Sequence, residues 1–244
     1  MKNLLEIRNL TVKASQQSIL SDVSFNVPEG KITAIVGASG SGKTTITNSI
    51  LGLMPEALSI TEGTILFEGK DLLKFSAESL RQVRGKDIAM IFQEPLWAFN
   101  PLMRIGQQID EVLVTHTSMT KQQRKDQIIK ILFKVQLSHV HDMFERYPHQ
   151  LSGGQRQRAM IAQALVTGPK LVIADEPTSN LDVTIQAHII ELFRQLKKEG
   201  LTMLLISHDL GLVSHLADQV IMLKEGVIVP PDHPYTKSFR EAFV

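Results

Sequence analysis

The stretch Gly37-Ala38-Ser39-Gly40-Ser41-Gly42-Lys43-Thr44 decides how this chain folds. It matches the pattern G-x-x-x-x-G-K-[ST] and lies between an apolar run, 32–36, and a helix-like segment, 46–53. A glycine-rich turn between a strand and a helix is typical of a phosphate-binding loop, whereas a plain Gly/Ser turn needs no such context. The glycines let successive backbone N–H groups face phosphate oxygens, and the helix N-terminus adds positive charge. The chain is therefore predicted to bind a nucleoside triphosphate.

Two side chains of this loop have predicted chemical roles. Lys43 is expected to reach the terminal phosphates, where it also aids catalysis, and the Thr44 hydroxyl is expected to ligate Mg²⁺. The other predicted nucleotide contacts are small residues of the loop and of the helix start: Gly37, Ser39, Gly40, Ser41, Gly42 and Thr45.

Composition and charge narrow the class of protein. The 244 residues suffice for one compact domain, with or without a small subdomain. Lys and Arg total 26 against 25 acidic residues, so the net charge of +1 gives no reason to expect a nucleic-acid partner. There is no Cys, which excludes disulfides and thiolate metal sites. We see neither a signal peptide nor an apolar run of ~18 residues, so we expect a cytosolic chain that reaches a membrane only through a partner.

The pattern of apolar residues predicts an α/β fold with a mostly parallel sheet. From about 101 to 150 the pattern is helical throughout, and the basic segment 121–125 is expected to be a solvated helix face. The predicted strands are 4–12, 18–27, 31–36, 64–68, 88–92, 171–174, 203–207 and 220–223, and the other predicted helices are 76–84, 155–165 and 183–198.

Polar side chains follow three of the predicted buried strands, and ligands of parallel sheets bind at the carboxyl ends of strands. We expect Asp175 to hold Mg²⁺ and Glu176 to orient and deprotonate the attacking water. Gln93 could bridge the metal or the water, and His208 could hold the γ-phosphate or the water. The alternatives are an acidic pair that caps the turn at Pro177 and an ordinary strand-end histidine.

A second glycine-rich loop, Leu151-Ser152-Gly153-Gly154-Gln155, precedes a predicted helix. Its backbone amides and helix dipole suit an anion, so Ser152, Gly153, Gly154 and Gln155 are predicted nucleotide contacts. One nucleotide does not need two such loops, and head-to-tail pairing would let each chain's second loop cover the other chain's nucleotide. A plain helix-start turn is the alternative.

The order of these motifs, with Ser179-Asn180-Leu181-Asp182 added, resembles the ATP-binding cassette of ABC transporters over nearly the whole chain. The resemblance implies the P-loop NTPase ABC ATPase fold, with a mostly parallel sheet core, an antiparallel β subdomain and an inserted α-helical subdomain. It implies one cassette over 1–244, with the insertion at 94–150 and a short C-terminal tail at 227–244. It also implies ATP and Mg²⁺ as cofactors and ATP sandwiched in an ATPase dimer. In that scheme Asp182 joins the two sites, and Gln93 transmits the γ-phosphate state to the helical subdomain.

Shorter segments are similar to the oligopeptide, dipeptide and nickel importer branch of that family. They are 84–85, 88–95, 100–101, 147–149, 155–158, 182–186 and 233–237. This similarity implies a subunit that energises uptake of peptides or nickel chelates through two transmembrane permease subunits, with an extracytoplasmic solute-binding protein. The subunit would lie peripherally on the cytoplasmic face of the membrane, as a homodimer or, in the cell, as a heterodimer with a related ATPase. An exporter ATPase of the lipoprotein-release or macrolide type and a soluble non-transport ABC ATPase are the alternatives.

Two positions depart from the family's usual residues. Ala14 stands where the family usually has an aromatic residue that stacks on adenine, so we expect loose base selectivity. Asn180 replaces a residue that is usually small. Trp97 and Phe99 are candidate docking residues for the membrane subunits, because aromatic residues anchor interfaces. Packing between the lobes is the alternative for both.

Overall fold

The computed structural model describes residues 2–234 and 236. The chain folds into two compact units, one formed by Met1–Arg81 with Lys197–Val244 and one formed by Gln82–Leu196. The sequence expectation of an inserted subdomain at 94–150 stays a prediction, as does the tail at 227–244. Half of that tail, 235 and 237–244, lies outside the described residues, and this part includes Tyr235 and Lys237 of the 233–237 motif.

The first unit begins with an antiparallel sheet. β1 (Asn3–Ala14) pairs with β2 (Gln17–Pro28) on one side and with β4 (Leu58–Phe67) on the other, and β5 (Lys70–Asp71) pairs with β4. Buried and exposed residues alternate along β2, as expected for a strand with one solvated face. One edge therefore belongs to β2 and the other to β5.

The fourth strand is longer than the predicted 64–68. It begins at Leu58, because 58–62 pair with the end of β1 although they are mostly polar and exposed. The apparent turn residue Gly63 lies inside the strand at a register shift, with φ +101°. A Cβ there would lie 2.7 Å from the carbonyl oxygens of Arg8 and Asn9. This glycine therefore allows a bulge and a close backbone approach, rather than a turn.

The other described strands of the first unit are β3 (Ile32–Val36), β8 (Met203–Ser207), β9 (Gln219–Lys224) and β10 (Val227–Val229), and the first three of them are parallel. β3 lies between β8 and β9, and β10 pairs antiparallel with β9. Every residue of β3 and β8 is buried, which explains their continuous apolar sequences. The helices that follow β3 and β8 are α1 (Lys43–Leu51) and α9 (Leu210–Leu216). The sequence analysis missed α9 and β10, which are too short for a clear period.

The second unit contains two parallel strands and most of the helices. β6 (Ile88–Ile91) pairs in parallel with β7 (Leu171–Asp175). The helices are α3 (Pro95–Ala98), α4 (Ile105–His116), α5 (Lys121–Lys134), α6 (Val140–Glu145), α7 (Gly153–Leu165) and α8 (Val183–Lys198), and α2 (Ala77–Val83) precedes them. In the middle third, Ile128, Leu132 and Val135 are buried while Lys121 and Lys125 are exposed, as predicted. Within the described part of the chain, no helix is both long enough and apolar enough to cross a membrane.

Candidate functional site

The phosphate loop connects β3 to α1 within the first unit. Lys43 is buried, and its Nζ donates to the carbonyl oxygens of Gly37 at 2.8 Å and Ala38 at 2.9 Å. The cap residue of α1, Gly42, has φ +104°, a conformation that glycine adopts without strain. No acidic residue lies in the first turn of α1, so nothing in that turn neutralises its positive end.

A buried hydroxyl in this loop indicates that the loop suits phosphate. Ser41 is only 5% exposed, and its Oγ has no hydrogen-bond partner among the described residues. A buried polar atom without a partner is costly in a native structure, and a phosphate oxygen would accept its proton. The loop therefore presents a cationic ammonium, a donor hydroxyl and a positive helix end, which together fit a triphosphate.

The hairpin between β9 and β10 holds the loop in shape. Gly226 N donates to Ser41 O at 3.0 Å, and Ser21 N donates to Gly226 O at 2.9 Å. A Cβ on Gly37 would lie 2.2 Å from Leu223 O, and a Cβ on Gly226 would lie 2.2 Å from Ile19 O. Glycine is thus required at both positions by space, in the second case at φ +79°. The sequence analysis did not find this support, because β10 was not predicted.

In the second unit, the turn after β7 carries the predicted base. Glu176 has φ +45°, and its Oε2 accepts a 3.0 Å hydrogen bond from Gln93 Nε2. The left-handed conformation costs a non-glycine residue on the order of 1–3 kcal/mol and persists only where the surroundings impose it. The structure thus brings together two of the predicted site residues, at the ends of two adjacent strands.

Side-chain amides fix the carbonyl groups of this turn. Gln157 of α7 donates to Pro177 O at 2.5 Å, and Gln186 of α8 donates to Thr178 O at 3.1 Å. Ser179 donates to Glu176 O through its backbone N at 3.1 Å and through its Oγ at 2.9 Å. Consecutive carbonyls are therefore held by different elements, which imposes the backbone conformation of Glu176. Both glutamines lie in segments that resemble the importer branch, 155–158 and 182–186, but the sequence did not indicate that their amides hold this turn.

The remaining predicted ligands end strands as expected. Asp175 is the last residue of β7, and His208 directly follows β8 and is exposed. The next residue, Asp209, caps α9 by accepting from Leu212 N at 3.1 Å. No group of three or more His, Cys, Asp or Glu residues that could hold a metal occurs in residues 2–234 or 236. The carboxylate of Asp175 is an oxygen donor of the kind that Mg²⁺ takes together with substrate phosphates and water.

The second glycine-rich loop forms the start of α7. Ser152 Oγ accepts from Gln155 N at 3.3 Å, and Ser152 N donates to Gln155 Oε1 at 3.0 Å, which is a capping box. Apart from its chain neighbours and the backbone of its own helix, no heavy atom of the described chain would lie within 4 Å of a Cβ on Gly153, so the loop is open there. Asp182 similarly caps α8, since its Oδ1 accepts from Ile185 N at 2.9 Å. Both motifs therefore have a local role in addition to their predicted contact with nucleotide.

Comparison with known proteins identifies the family to which this chain belongs. A family model described as "ABC transporter" matches residues 20–179. The chain belongs to the ABC transporter family. Its activity is that of an ABC ATPase, with ATP as substrate and Mg²⁺ as cofactor.

Two curated relatives of this ABC cassette have names that refer to transport. This chain is 46% identical over 255 residues to the peptidoglycan transport ATP-binding protein YejF of Agrobacterium fabrum. The alignment covers 98% of this chain and 47% of the relative. The chain is 41% identical to the dipeptide transport ATP-binding protein DppD of Bacillus subtilis, covering 97% of this chain and 76% of the relative. The chain thus spans about half the length of the first relative and about three quarters of the second.

The fold is similar to a solved cassette. The dimeric structure of a post-hydrolysis state of the ATP-binding cassette MJ0796, bound to ADP and Pi, superposes with a TM-score of 0.81 at 28% identity. The superposition covers 93% of this chain and 97% of that one. The sequence prediction of an ABC ATPase fold is thereby confirmed.

The structure also bears on the sequence expectations for the candidate docking residues and for Ala14. Phe99 is 4% exposed, which places its side chain in internal packing rather than on a docking surface. Trp97 lies in α3, and its side chain lies outside the described residues. Ala14 ends β1, where it pairs with Gln17 and Leu58, and loose base selectivity stays a prediction.

Proposed function

We propose that this cassette hydrolyses ATP to energise an ABC importer for peptides. The observation that carries the proposal is the near-complete match, over 97% of the chain, to a relative named as a dipeptide transport ATP-binding protein. The relatives described above are named for peptide or peptidoglycan transport, so we propose peptides rather than nickel chelates as cargo. The resemblance of 182–186 and 233–237 to the importer branch favours an importer over an exporter of the lipoprotein-release or macrolide type.

The residues of the first unit would bind the triphosphate. Lys43 and Ser41 donate to phosphate oxygens, while the loop N–H groups and the start of α1 stabilise the developing negative charge. His208, at the end of β8, holds the γ-phosphate or the attacking water. Thr44 would offer an oxygen ligand to Mg²⁺, and Asp175 and Gln93 remain predicted oxygen ligands of this metal. When bound, Mg²⁺ would neutralise charge on the phosphate oxygens.

Glu176 is the proposed general base. Its carboxylate accepts the proton of the attacking water, and the 3.0 Å hydrogen bond from Gln93 holds the carboxylate in one orientation. The fixed turn behind Glu176 keeps this geometry from relaxing between turnovers.

A second ATPase subunit would complete the site. The Ser152 loop is open at Gly153, and its glycines offer backbone N–H groups to an anion at the start of a helix of 13 residues. The solved cassette described above is dimeric with ADP and Pi bound, which supports pairing of this chain with a copy or a related ATPase. Asp182 would then contact the partner site. We further propose that 94–150 forms the helical subdomain and 227–244 a C-terminal tail.

The remaining partners follow from the importer proposal. Two transmembrane permease subunits would bind the cassette on the cytoplasmic face of the membrane, and a solute-binding protein would deliver the peptide on the opposite side. The cassette would be peripheral, because its membrane contact is made through the permease.

Reconstitution tests this function. The full chain, co-expressed with the permease and receptor genes next to its own, should take up a labelled dipeptide or oligopeptide in an ATP-dependent way. A Lys43→Ala chain in the same complex is the control and should give no uptake. Outward movement of substrate in this system, or equal uptake with the control chain, would refute the importer proposal.

A further inference from the structure

A second side-chain contact joins the turn of Glu176 to the segment that carries Gln93. Asn180 Nδ2 donates to Glu94 Oε1 at 2.6 Å, beside the 3.0 Å contact from Gln93 to Glu176. Each contact joins an amide to a carboxylate, and the polarity is reversed between them, because residue 93 donates and residue 94 accepts. Together the two contacts fix the orientation of the turn relative to residues 93 and 94, whereas a single contact would fix only one distance.

The local structure at Asn180 and at Glu94 favours this contact. Asn180 has φ +60°, and asparagine adopts the left-handed region more readily than most residues because its short side chain hydrogen-bonds locally. Glu94 is the N-cap residue of α3, yet its side chain makes no capping hydrogen bond to that helix. Its carboxylate is instead directed to Asn180, and the interaction is charge-assisted.

The contact between Asn180 and Glu94 affects the turn that carries Glu176, the proposed base. Glu176 and Asn180 both have positive φ and stand at the two ends of one turn. The left-handed conformation of Glu176 persists only if its surroundings over-determine it. A tether at Asn180 fixes the far end of the turn, while the hydrogen bond from Gln93 fixes the carboxylate at its beginning.

We propose that Glu94 and Asn180 are a positioning pair that holds the Glu176 carboxylate in its reactive orientation and makes that orientation depend on α3. In this proposal both residues act through Glu176. Because Glu94 directly precedes Pro95 at the start of α3, a partner subunit that displaces α3 would break the pair and release the turn. This inference rests on the proposed role of Glu176 as the base.

Reciprocal exchange of the amide and the carboxylate tests the pair in the full chain. In Asn180→Asp two carboxylates face each other, so the contact is lost by repulsion. The double variant Asn180→Asp with Glu94→Gln again places a donor opposite an acceptor, with the polarity reversed. We expect kcat to fall at least about threefold in the single variant with KM for ATP within about twofold, and to recover in the double variant.

Asn9 provides a matched control. It also has positive φ, +50°, and its Nδ2 donates to Asp22 Oδ1 at 2.7 Å in the first antiparallel sheet. Asn9→Asp therefore creates the same pair of facing carboxylates in the unit that does not contain Glu176. We expect this variant to keep the wild-type kcat, which separates a positioning effect from a general effect of lost stability.

Hydrogen exchange of the peptide 176–182, measured by mass spectrometry without nucleotide, gives a second readout. We expect faster exchange in Asn180→Asp and wild-type exchange in the double variant. The positioning pair is overturned if Asn180→Asp keeps the wild-type kcat and exchange, or if the double variant remains as impaired as the single one. A wild-type chain that hydrolyses no ATP would refute the proposed function, while the exchange pattern would still decide whether the pair orders the turn.

Discussion

Replacement of Gln157 by Leu tests the packing that shapes the catalytic turn. Gln157 is 1% exposed, and its Nε2 donates to Pro177 O at 2.5 Å. Leucine is also buried readily but donates no hydrogen bond, so the carbonyl of Pro177 loses this donor. A buried polar group left without a partner costs about 1–3 kcal/mol. For a chain of this size each kcal/mol lowers Tm by about 2–4 °C, so Tm should fall by about 2–12 °C.

The same change should reduce turnover, because Pro177 directly follows Glu176. Release of this carbonyl lets the turn leave its strained conformation, and we expect kcat to fall by about tenfold, the equivalent of roughly 1.4 kcal/mol in the barrier. The KM for ATP should change little, since the phosphate loop belongs to the other unit. Calorimetric unfolding and steady-state phosphate release measure the two effects.

Gln127→Leu is the matched control. Gln127 Nε2 donates to Val166 O at 3.1 Å, so this variant also removes a glutamine amide from a backbone carbonyl, but away from Glu176. It should lower Tm and keep the wild-type kcat. A Gln157→Leu chain that loses stability yet turns over normally would refute the positioning argument, and one with unchanged Tm would refute the hydrogen-bond argument.

Three further predictions concern the first unit. Gly37→Ala places a Cβ 2.2 Å from a carbonyl oxygen of β9, so ATP affinity measured by calorimetry should fall at least about tenfold; near-normal affinity would refute the requirement for glycine. Ser41→Ala removes a buried hydroxyl that has no partner among the described residues, so nucleotide-free stability should not fall while the Kd for ATP rises about threefold to tenfold; a large loss of Tm would contradict this reasoning. Burial raises the pKa of Asp218, but the hydrogen bond from Ile32 N and the contact with Lys197 outweigh it, so the folded-state pKa lies below 3.8. A lowered folded-state pKa stabilises the chain above the unfolded-state value and ceases to do so as pH falls through the folded-state value. Asp218→Asn should therefore destabilise the chain at pH 7, and urea unfolding should show the difference from wild type narrowing in acid; a difference that grows as the pH falls would refute the sign.

The sequence was informative wherever a pattern repeats or a motif has fixed spacing. The all-buried strands β3 and β8 have continuous apolar sequences, and the phosphate loop is defined by its own residues, so both could be predicted. The stripe that includes Ile128 and Leu132 is a regular helical period, and the structure buries it.

Features that depend on tertiary packing could not be predicted in this way. The segment 58–62 is polar and becomes a strand because β1 lies beside it. Gln157 and Gln186 lie in recognisable motif segments, but their structural role could not be predicted, since it is set by the carbonyls that face them after folding. Glu94 is an acidic residue before a proline, and only the fold brings it to Asn180. The role of Gly226 could not be predicted either, because the phosphate-loop residue that it contacts is distant in sequence.

Glu176→Gln tests the central claim most directly, because it removes the base while keeping the shape of the side chain and an oxygen for Gln93. ATP binding, phosphate release and molecular mass in solution should be measured for this variant and for wild type with Mg·ATP. The account predicts unchanged ATP affinity, phosphate release at least about 100-fold slower than wild type, and a dimer that persists while ATP is present. Wild-type phosphate release by the Glu176→Gln chain would contradict the account.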